Sequence, residues 1–241
     1  MRKGIGKTHI GRVRVKNEDS IFVSDGPVGI FDGVFIVADG MGGHRAGEVA
    51  SGMAIEGFKE YLARNTGESP AVMLEKAVAY ANAKVFLAAV TNPEMGGMGT
   101  TFSVCAEKDG AIHYAHVGDS RIYLVWPGGI RLASQDHSFV GEMVRLGRLT
   151  EEEAREHPNK NVLTRALGTD SEVEIDTGML EIPEDGCLFI CSDGLSNMVT
   201  DNEIQEAVNR EGLDDETRTQ ALLELALKNG GKDNISLILV R

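Results

Sequence analysis

Val34-Phe35-Ile36-Val37-Ala38-Asp39-Gly40-Met41-Gly42-Gly43-His44 is the stretch whose reading decides how this chain folds. It opens with an unbroken apolar run, the mark of a strand buried on both faces. The run ends in a carboxylate, so Asp39 stands where a strand leaves the core. The glycines that follow allow backbone to come close to a ligand. An acid held at the end of a rigid strand, beside exposed carbonyls, suits a hard divalent cation. Such a site needs further oxygen donors, and the rest of the chain must supply them.

Other Asp-Gly pairs have to be sorted from this one, because Asp-Gly between apolar runs is first of all a hairpin turn. Asp109-Gly110 joins Thr101-Phe102-Ser103-Val104 to Ile112-His113-Tyr114-Ala115, and Asp185-Gly186 joins Met179-Leu180-Glu181-Ile182 to Cys187-Leu188-Phe189-Ile190. Both read as turns. Asp39-Gly40 and Asp193-Gly194 differ, since each is followed by a loop running into helical pattern. Leu188-Phe189-Ile190-Cys191-Ser192-Asp193-Gly194 repeats the opening theme of apolar strand and then Asp-Gly. Asp119 stands at another strand end, in Val117-Gly118-Asp119-Ser120-Arg121, and Asp233-Asn234 precedes the terminal strand Ile235-Ser236-Leu237-Ile238-Leu239-Val240. Glu18 and Asp19 lie just before or at the strand Ser20-Ile21-Phe22-Val23, with Arg14 a short reach upstream.

Asp19, Asp39, Asp119, Asp193 and Asp233 thus all flank predicted strands. Each alone reads as a turn or a cap. Together they form an oxygen-donor set with no paired His or Cys beside it, which points to magnesium or manganese rather than zinc.

Between the strands run helices. Val49, Ala50, Met53, Ala54, Gly57, Phe58, Tyr61 and Leu62 recur at three and four from Ala46, and a second helix opens at Ser69-Pro70 and buries Leu74, Ala77, Val78, Ala81, Val85 and Leu87. Asp136-His137-Ser138 opens a polar, charge-rich region reaching about Asn161, in which Thr150-Glu151-Glu152-Glu153 is a capping-box start for a short helix. Asn161-Val162-Leu163-Thr164-Arg165-Ala166-Leu167-Gly168 then returns the chain to the body. A helix capped near Thr200 and Glu203 follows, and another from about Asp215 to Lys228, stopped by Gly230-Gly231. Hairpin-linked strands with helices inserted in pairs indicate an α+β layered fold rather than a doubly wound parallel sheet. Gly6-Lys7-Thr8 is no nucleotide-binding loop, because that motif needs a Gly where Met1 stands and a preceding strand.

The 241 residues show no composition shift that would mark a linker, so residues 1–241 read as one domain. Hydrophobic content of 42% and charged content of 25% suit a globular chain with a full core. A formal net charge of −13 at pH 7 argues against nucleic acid or an anionic membrane as the main partner. Cys105, Cys187 and Cys191 form no disulfide framework, which suits a reducing cytosol. The Cys187/Cys191 spacing puts both on one strand face, as buried structural thiols rather than a metal or redox pair. Met1-Arg2-Lys3-Gly4 has no apolar region behind it, and no stretch approaches the roughly 18 apolar residues of a membrane span. A cytoplasmic protein is expected, and a monomer, since no assembly motif is evident.

Gly11-x-x-Arg14-x-x-Asn17-Glu18-Asp19, Asp39-Gly40-Met41-Gly42-Gly43-His44, Gly99-Thr100-Thr101, Val117-Gly118-Asp119-Ser120-Arg121, Asp136-His137-Ser138, Leu163-Thr164-Arg165-Ala166-Leu167-Gly168, Ser192-Asp193-Gly194-Leu195 and Asp233-Asn234 follow one another over nearly the whole chain. In that order they resemble the signature segments of bacterial metal-dependent serine/threonine protein phosphatases, the protein phosphatase 2C family. One segment alone is weak, whereas the ordered set is highly specific. The resemblance implies an αββα sandwich of four layers, two mainly antiparallel sheets flanked by helix pairs, with the metal centre at one end.

By position, the resemblance implies that Asp39 bridges two manganese or magnesium ions, with the Gly40 carbonyl on one of them. Asp193 and Asp233 complete one site, Glu18 or Asp19 supports the other, and Asp119 matches an acid linked to a third ion in bacterial members. Arg14 matches the residue that grips the substrate phosphate. The implied reaction is hydrolysis of phosphoserine and phosphothreonine in proteins by a metal-activated water, without a covalent intermediate. Two cations roughly 3.5–4 Å apart can share and acidify a water. Phosphoryl transfer asks mainly for positioning and charge neutralisation, and Arg holds phosphate oxygens with a planar fork. The His-Cys-x5-Arg loop of a cysteine phosphatase is missing from the sequence.

One position departs from the pattern: eukaryotic relatives carry His directly after the Asp-Gly pair, where this chain has Met41. His44, three residues on, is the candidate to protonate the leaving alkoxide, with a plain loop role as the alternative. Residues 138–161 match the family's flap near the active site. The implied partners are phosphoprotein substrates, a serine/threonine kinase and its targets or an anti-sigma-type regulator. A catalytically degenerate metal-binding signalling module is the alternative, and the presence of Arg14 and of every acid in the pattern argues against it. A two-metal hydrolase acting on nucleic acid is disfavoured by the net charge and the lack of a basic, aromatic-rich stretch.

Overall fold

The computed structural model describes residues 2–42 and 46–241. Two antiparallel sheets lie at its centre. One runs in the order β1 (Gly4–His9), β11 (Ile235–Val240), β10 (Cys187–Cys191), β7 (Arg121–Trp126), β8 (Gly129–Leu132). The other runs β2 (Asp19–Ser24), β3 (Gly33–Met41), β5 (Phe102–Lys108), β6 (Ala111–Val117), β9 (Asp176–Leu180), with the short β4 (Gly99–Thr100) pairing the end of β3. Helices α1 (Ala46–Arg64) and α2 (Pro70–Thr91) pack on the second sheet, and α5 (Asp193–Ser196), α6 (Asp201–Val208) and α7 (Asp215–Lys228) on the first. α3 (Phe139–Arg145) and α4 (Glu151–Glu156) belong to the segment between β8 and β9.

The unbroken apolar run of β3 follows from this layering. Side chains alternate across a strand, so Val34, Ile36 and Ala38 enter the core under α1 and α2, while Phe35 and Val37 enter the core between the sheets. β10 does the same: Cys187, Phe189 and Cys191 face α6 and α7, and Leu188 and Ile190 face the opposite sheet. With no solvent face on either strand, a polar residue has no place until the strand passes the edge of the sandwich. Cys187 and Cys191 therefore share a face as buried free thiols, as their spacing requires.

The helix faces follow the periodicity except at one end. Leu87 is 61% exposed, whereas Met73, Asn82 and Ala89 join the buried side of α2. After Val85 the helical repeat of about 3.6 residues returns to the core at Ala89 and carries Leu87 to the far side. Both capping boxes form, at Thr150 with Glu153 and at Thr200 with Glu203. Gly6, Lys7 and Thr8 lie within β1, paired to β11.

The two turn-like Asp-Gly pairs have different fates. Asp109 and Gly110, at φ of 50° and 82°, close the β5–β6 hairpin. Asp185, at φ of 55°, also makes a tight turn, in which the Gly186 N–H donates to the Pro183 carbonyl at 2.9 Å. That turn carries the chain from β9 in one sheet to β10 in the other, so no hairpin forms. Turn chemistry sets the local bend, and the partners waiting on either side, β7 and β11, decide where the next strand pairs.

Candidate metal centre

β2 and β3 pair in a register that sets Asp19 directly opposite Asp39. Like charges facing one another on neighbouring strands repel, and here several contacts hold the pair in place. The Asp39 carbonyl accepts from the Thr101 N–H and the Thr100 hydroxyl, each at 2.9 Å. Its own N–H donates to Thr101 Oγ1 at 2.9 Å. Gly40 N–H donates to the Glu18 carbonyl at 3.2 Å, and a Cβ on Gly40 would stand 2.2 Å from the Gly47 carbonyl oxygen. Only glycine lets β3 lie this close to the first turn of α1, where a Cβ on Gly47 would in turn meet Glu18 Oε1 at 2.8 Å.

Thr101 also reaches the corner that carries a second acid. Its hydroxyl shares a hydrogen bond with Ser120 at 2.7 Å, next to Asp119 at the β6–β7 corner. Gly118 turns that corner at φ of 110°, with room for no side chain against Thr101. Asp193 opens α5, and Asn197 Nδ2 donates to its Oδ2 at 3.1 Å. Asp233 enters just before β11 and accepts from Arg14 Nη2 at 2.7 Å. The loop carrying Arg14 is fastened by Asn234, whose amide nitrogen donates to the carbonyls of Ile10 and Lys16 and whose oxygen accepts the Glu18 N–H, all at 2.8–2.9 Å.

These groups meet in one cleft of about 280 Å³, lined by Arg14, Glu18, Asp39, Gly40, Asp119, Asp193 and Asp233. Asp19 lies behind it, buried, with Ser192 donating to its Oδ2 at 2.9 Å. Sequence reasoning did not single out Asn161 and Leu163, which also line the cleft. Asn161 ends the flap and Leu163 opens the segment of residues 163–168, and nothing in either stretch ties those two side chains to the acids. Met41 lines the cleft as well, in the place where eukaryotic relatives carry His. His44 lies outside the described residues.

The electrostatics of the cleft are those of crowded, desolvated acids. Burial, and then the charges of Asp19, Asp193, Asp119 and Asp233, hold the Asp39 carboxyl well above the usual range. Burial and Asp193 do the same to Asp119, and burial and Asp233 raise Asp193. Asp19 is pushed up to about 7 by burial, against the Ser236 and Ser192 hydroxyls. Arg14 is held charged by its donation to Asp233.

A divalent cation fits this chemistry. Among the described residues, Asp19 Oδ1 is buried with no hydrogen-bond partner. The surrounding donors are carboxylate and carbonyl oxygens, the set that hard cations take. Among the described residues no three His, Cys, Asp or Glu side chains close into a finished cage, so the fit rests on donor type, burial and unbalanced charge.

Comparison with known proteins gives one answer. The family model described as Protein phosphatase 2C matches residues 5–228. The serine/threonine phosphatase stp of Listeria monocytogenes serovar 1/2a is 38% identical, over 97% of this chain and 93% of its own length. The crystal structure of serine/threonine phosphatase Stp1 from Staphylococcus aureus superposes with a TM-score of 0.91 at 33% identity, covering 100% of this chain and 94% of that one. The catalytic domain of the serine/threonine protein phosphatase PstP, crystallised with two manganese ions, superposes with a TM-score of 0.83 at 30% identity, covering 99% of this chain and 97% of that one.

Proposed function

We infer, from a chain that belongs to the protein phosphatase 2C family, how its acidic cleft works as the active site of a metal-dependent serine/threonine protein phosphatase. Hydrolysis of phosphoserine and phosphothreonine in proteins is the activity of the chain, and no finding favours the degenerate signalling module. The observation that carries the assignment of residues is the meeting of Arg14, Asp39, Asp119, Asp193 and Asp233 in one cleft, from five separate parts of the chain.

Asp39 and the Gly40 carbonyl would hold two ions, manganese or magnesium, with Asp193 and Asp233 completing one site, Glu18 or Asp19 supporting the other and Asp119 available to a third. When bound, such ions neutralise the phosphate charge and acidify the attacking water. Arg14 faces the cleft with Nη2 on Asp233 and Nη1 3.9 Å from Glu18 Oε2, and its planar guanidinium is the group that would grip phosphate oxygens. Thr100 and Thr101 keep Asp39 from moving as charge shifts, and a preorganised site of this kind spends little on reorganisation. His44 is retained as the proton donor to the leaving alkoxide. In that role, His44→Gln slows a phosphothreonine peptide far more than an aryl phosphate, whose leaving group needs no proton. Equal losses on both would assign His44 a loop role.

The cell context follows from the same reading. A single phosphatase domain acts as a monomer in the cytoplasm, opposing a serine/threonine kinase on the kinase and its targets, or acting on an anti-sigma-type regulator. No helix of the described residues is long and apolar enough to cross a membrane. The first experiment is phosphate release from a phosphothreonine peptide with manganese, with EDTA and with Asp193→Ala. Turnover is expected with manganese alone, and loss of roughly a hundredfold or more in the variant. Undiminished turnover in EDTA would overturn the metal assignment.

A further inference from the structure

Gly118, the residue before Asp119, is held from two sides. On one side a Cβ at Gly118 would stand 2.6 Å from Thr101, so the corner admits no side chain there. His137 holds the other side. Its backbone N–H donates to the Gly118 carbonyl at 2.8 Å, and its ring Nδ1 accepts the Gly118 N–H at 3.1 Å. Both polar groups of Gly118 thus end on one histidine. A ring nitrogen that accepts from a backbone N–H carries no proton, so the neutral ring bears its proton on Nε2. Nε2 donates to Asp176 Oδ2 at 3.2 Å, while Arg165 Nη1 donates to the other oxygen at 3.1 Å. The ring is buried, and burial lowers its pKa while Asp176 pulls the other way. The His137 carbonyl in turn accepts the Thr164 N–H at 2.9 Å.

The acids of the cleft differ in what steadies them. Asp193 takes a hydrogen bond from Asn197, and Asp233 takes one from Arg14. The Asp119 carboxyl is met by its own backbone N–H, so its place is set by the backbone that carries it. Ser120 fixes that backbone on the far side through Thr101. On the near side stands Gly118, at φ of 110° and with no side chain to hold it. We propose that His137 is a positioning residue for the metal centre: its Nδ1, kept an acceptor by Asp176 on Nε2, holds the Gly118 peptide and through it aims the Asp119 carboxylate at a divalent cation. The inference rests on the reading of Asp119 as a metal ligand and deepens it. His137 is not among the residues that line the cleft, and it acts through Gly118. Because Gly118 is buried, loss of the Nδ1 acceptor leaves its N–H unpaired, and the corner shifts to find another partner.

Asparagine and glutamine separate the two ends of the ring. Asn Oδ1 stands where Nδ1 stands and accepts the Gly118 N–H, whereas Gln Nε2 stands where the ring Nε2 stands and serves only Asp176. Manganese binding to the full chain is read from the electron paramagnetic resonance of free manganese during titration, which needs no turnover. The binding event to follow is the one that Asp119→Ala weakens. His137→Gln is expected to weaken it by about tenfold, and His137→Asn to bring it back to within about threefold of wild type. In the Asp119→Ala background His137→Gln weakens binding no further, because the acid through which it acts is gone. Melting curves in EDTA separate loss of fold from loss of the ion. If His137→Gln does not fold, Asp176→Ala decides, at a partly exposed position: Arg165 Nη1, 3.3 Å from Nε2, is then the donor left facing the ring, the proton moves to Nδ1, and the same event weakens. Equal weakening by Gln and Asn, a further loss in the double variant, or binding unchanged by either Asp119→Ala or His137→Gln would sink the proposal. A chain that binds manganese in the expected pattern, yet turns over neither p-nitrophenyl phosphate nor a phosphothreonine peptide, overturns the phosphatase reading and leaves the role of His137 standing.

Discussion

At Asn234, one amide joins three segments of backbone: the carbonyls of Ile10 and Lys16 and the N–H of Glu18. The side chain is 3% exposed, so water cannot replace these bonds. Its neighbour Asp233 holds Arg14, and Asn234 holds the loop on which Arg14 stands. Asn234→Ala leaves buried donors and acceptors unpaired and is expected to cost about 2–3 kcal/mol, read as a lower urea midpoint. The same variant should raise KM for phosphopeptide more than it lowers kcat, since the loop grips substrate and leaves the acids of β3 and α5 in place. A variant with unchanged stability would show that the loop is held by other contacts. The Asp233-Asn234 pair was visible in the sequence, but the work done by Asn234 was not. A hydrogen bond to a residue more than 200 positions away has no local signature.

Among the elements, β5 and β6 bury a titratable group in the heart of their sheet. His116 is fully buried, with Nδ1 sharing a hydrogen bond with the Ser103 hydroxyl at 2.9 Å and Nε2 one with the Gln135 carbonyl at 3.0 Å. Burial first, then the nearby His137, lowers its pKa to about 4. The unfolded chain, with an ordinary His near 6.5, binds the proton more readily. His116 therefore costs no stability above about pH 6.5, and the fold loses stability as pH falls from there toward 4, by about 3 kcal/mol at most. Raised carboxyl groups of the cleft act in the opposite sense, because the folded chain then takes up protons more readily. The contribution of His116 is isolated by urea unfolding at pH 7.5 and pH 5.0 for wild type and His116→Gln. Wild type should lose more stability over this interval than the variant, and parallel losses would count against the assignment. On the same scale, the strands and helices themselves were largely legible, because periodicity and capping are local. Leu87 on α2 was misread, and at Asp185 the turn was legible but the partners of its flanking strands were not, since burial at a helix end and the choice of strand partner depend on what packs opposite.

For the molecule as a whole, the balance of charge is the decisive quantity. A cleft that gathers Asp39, Asp119, Asp193 and Asp233, with Asp19 behind it, stores repulsion in the fold. Cations that bind the folded chain and not the unfolded one must stabilise it by about 2.7 kcal/mol at a hundred times the dissociation constant. Manganese should accordingly raise the melting temperature by several degrees over EDTA-treated protein, and Asp39→Asn should abolish most of that rise. An equal rise in the variant would place the stabilising ion elsewhere. By itself the sequence determined the buried strands, the acids at their ends, the caps and the order of family segments, because each is written in residues close together along the chain. Only the tertiary structure decided which acids share a cleft, which one stands behind it and which threonines and amides brace them. Those relations join residues as far apart as Arg14 and Asp233, 219 positions in sequence, and they exist only once two sheets close on each other and bring their ends to one edge.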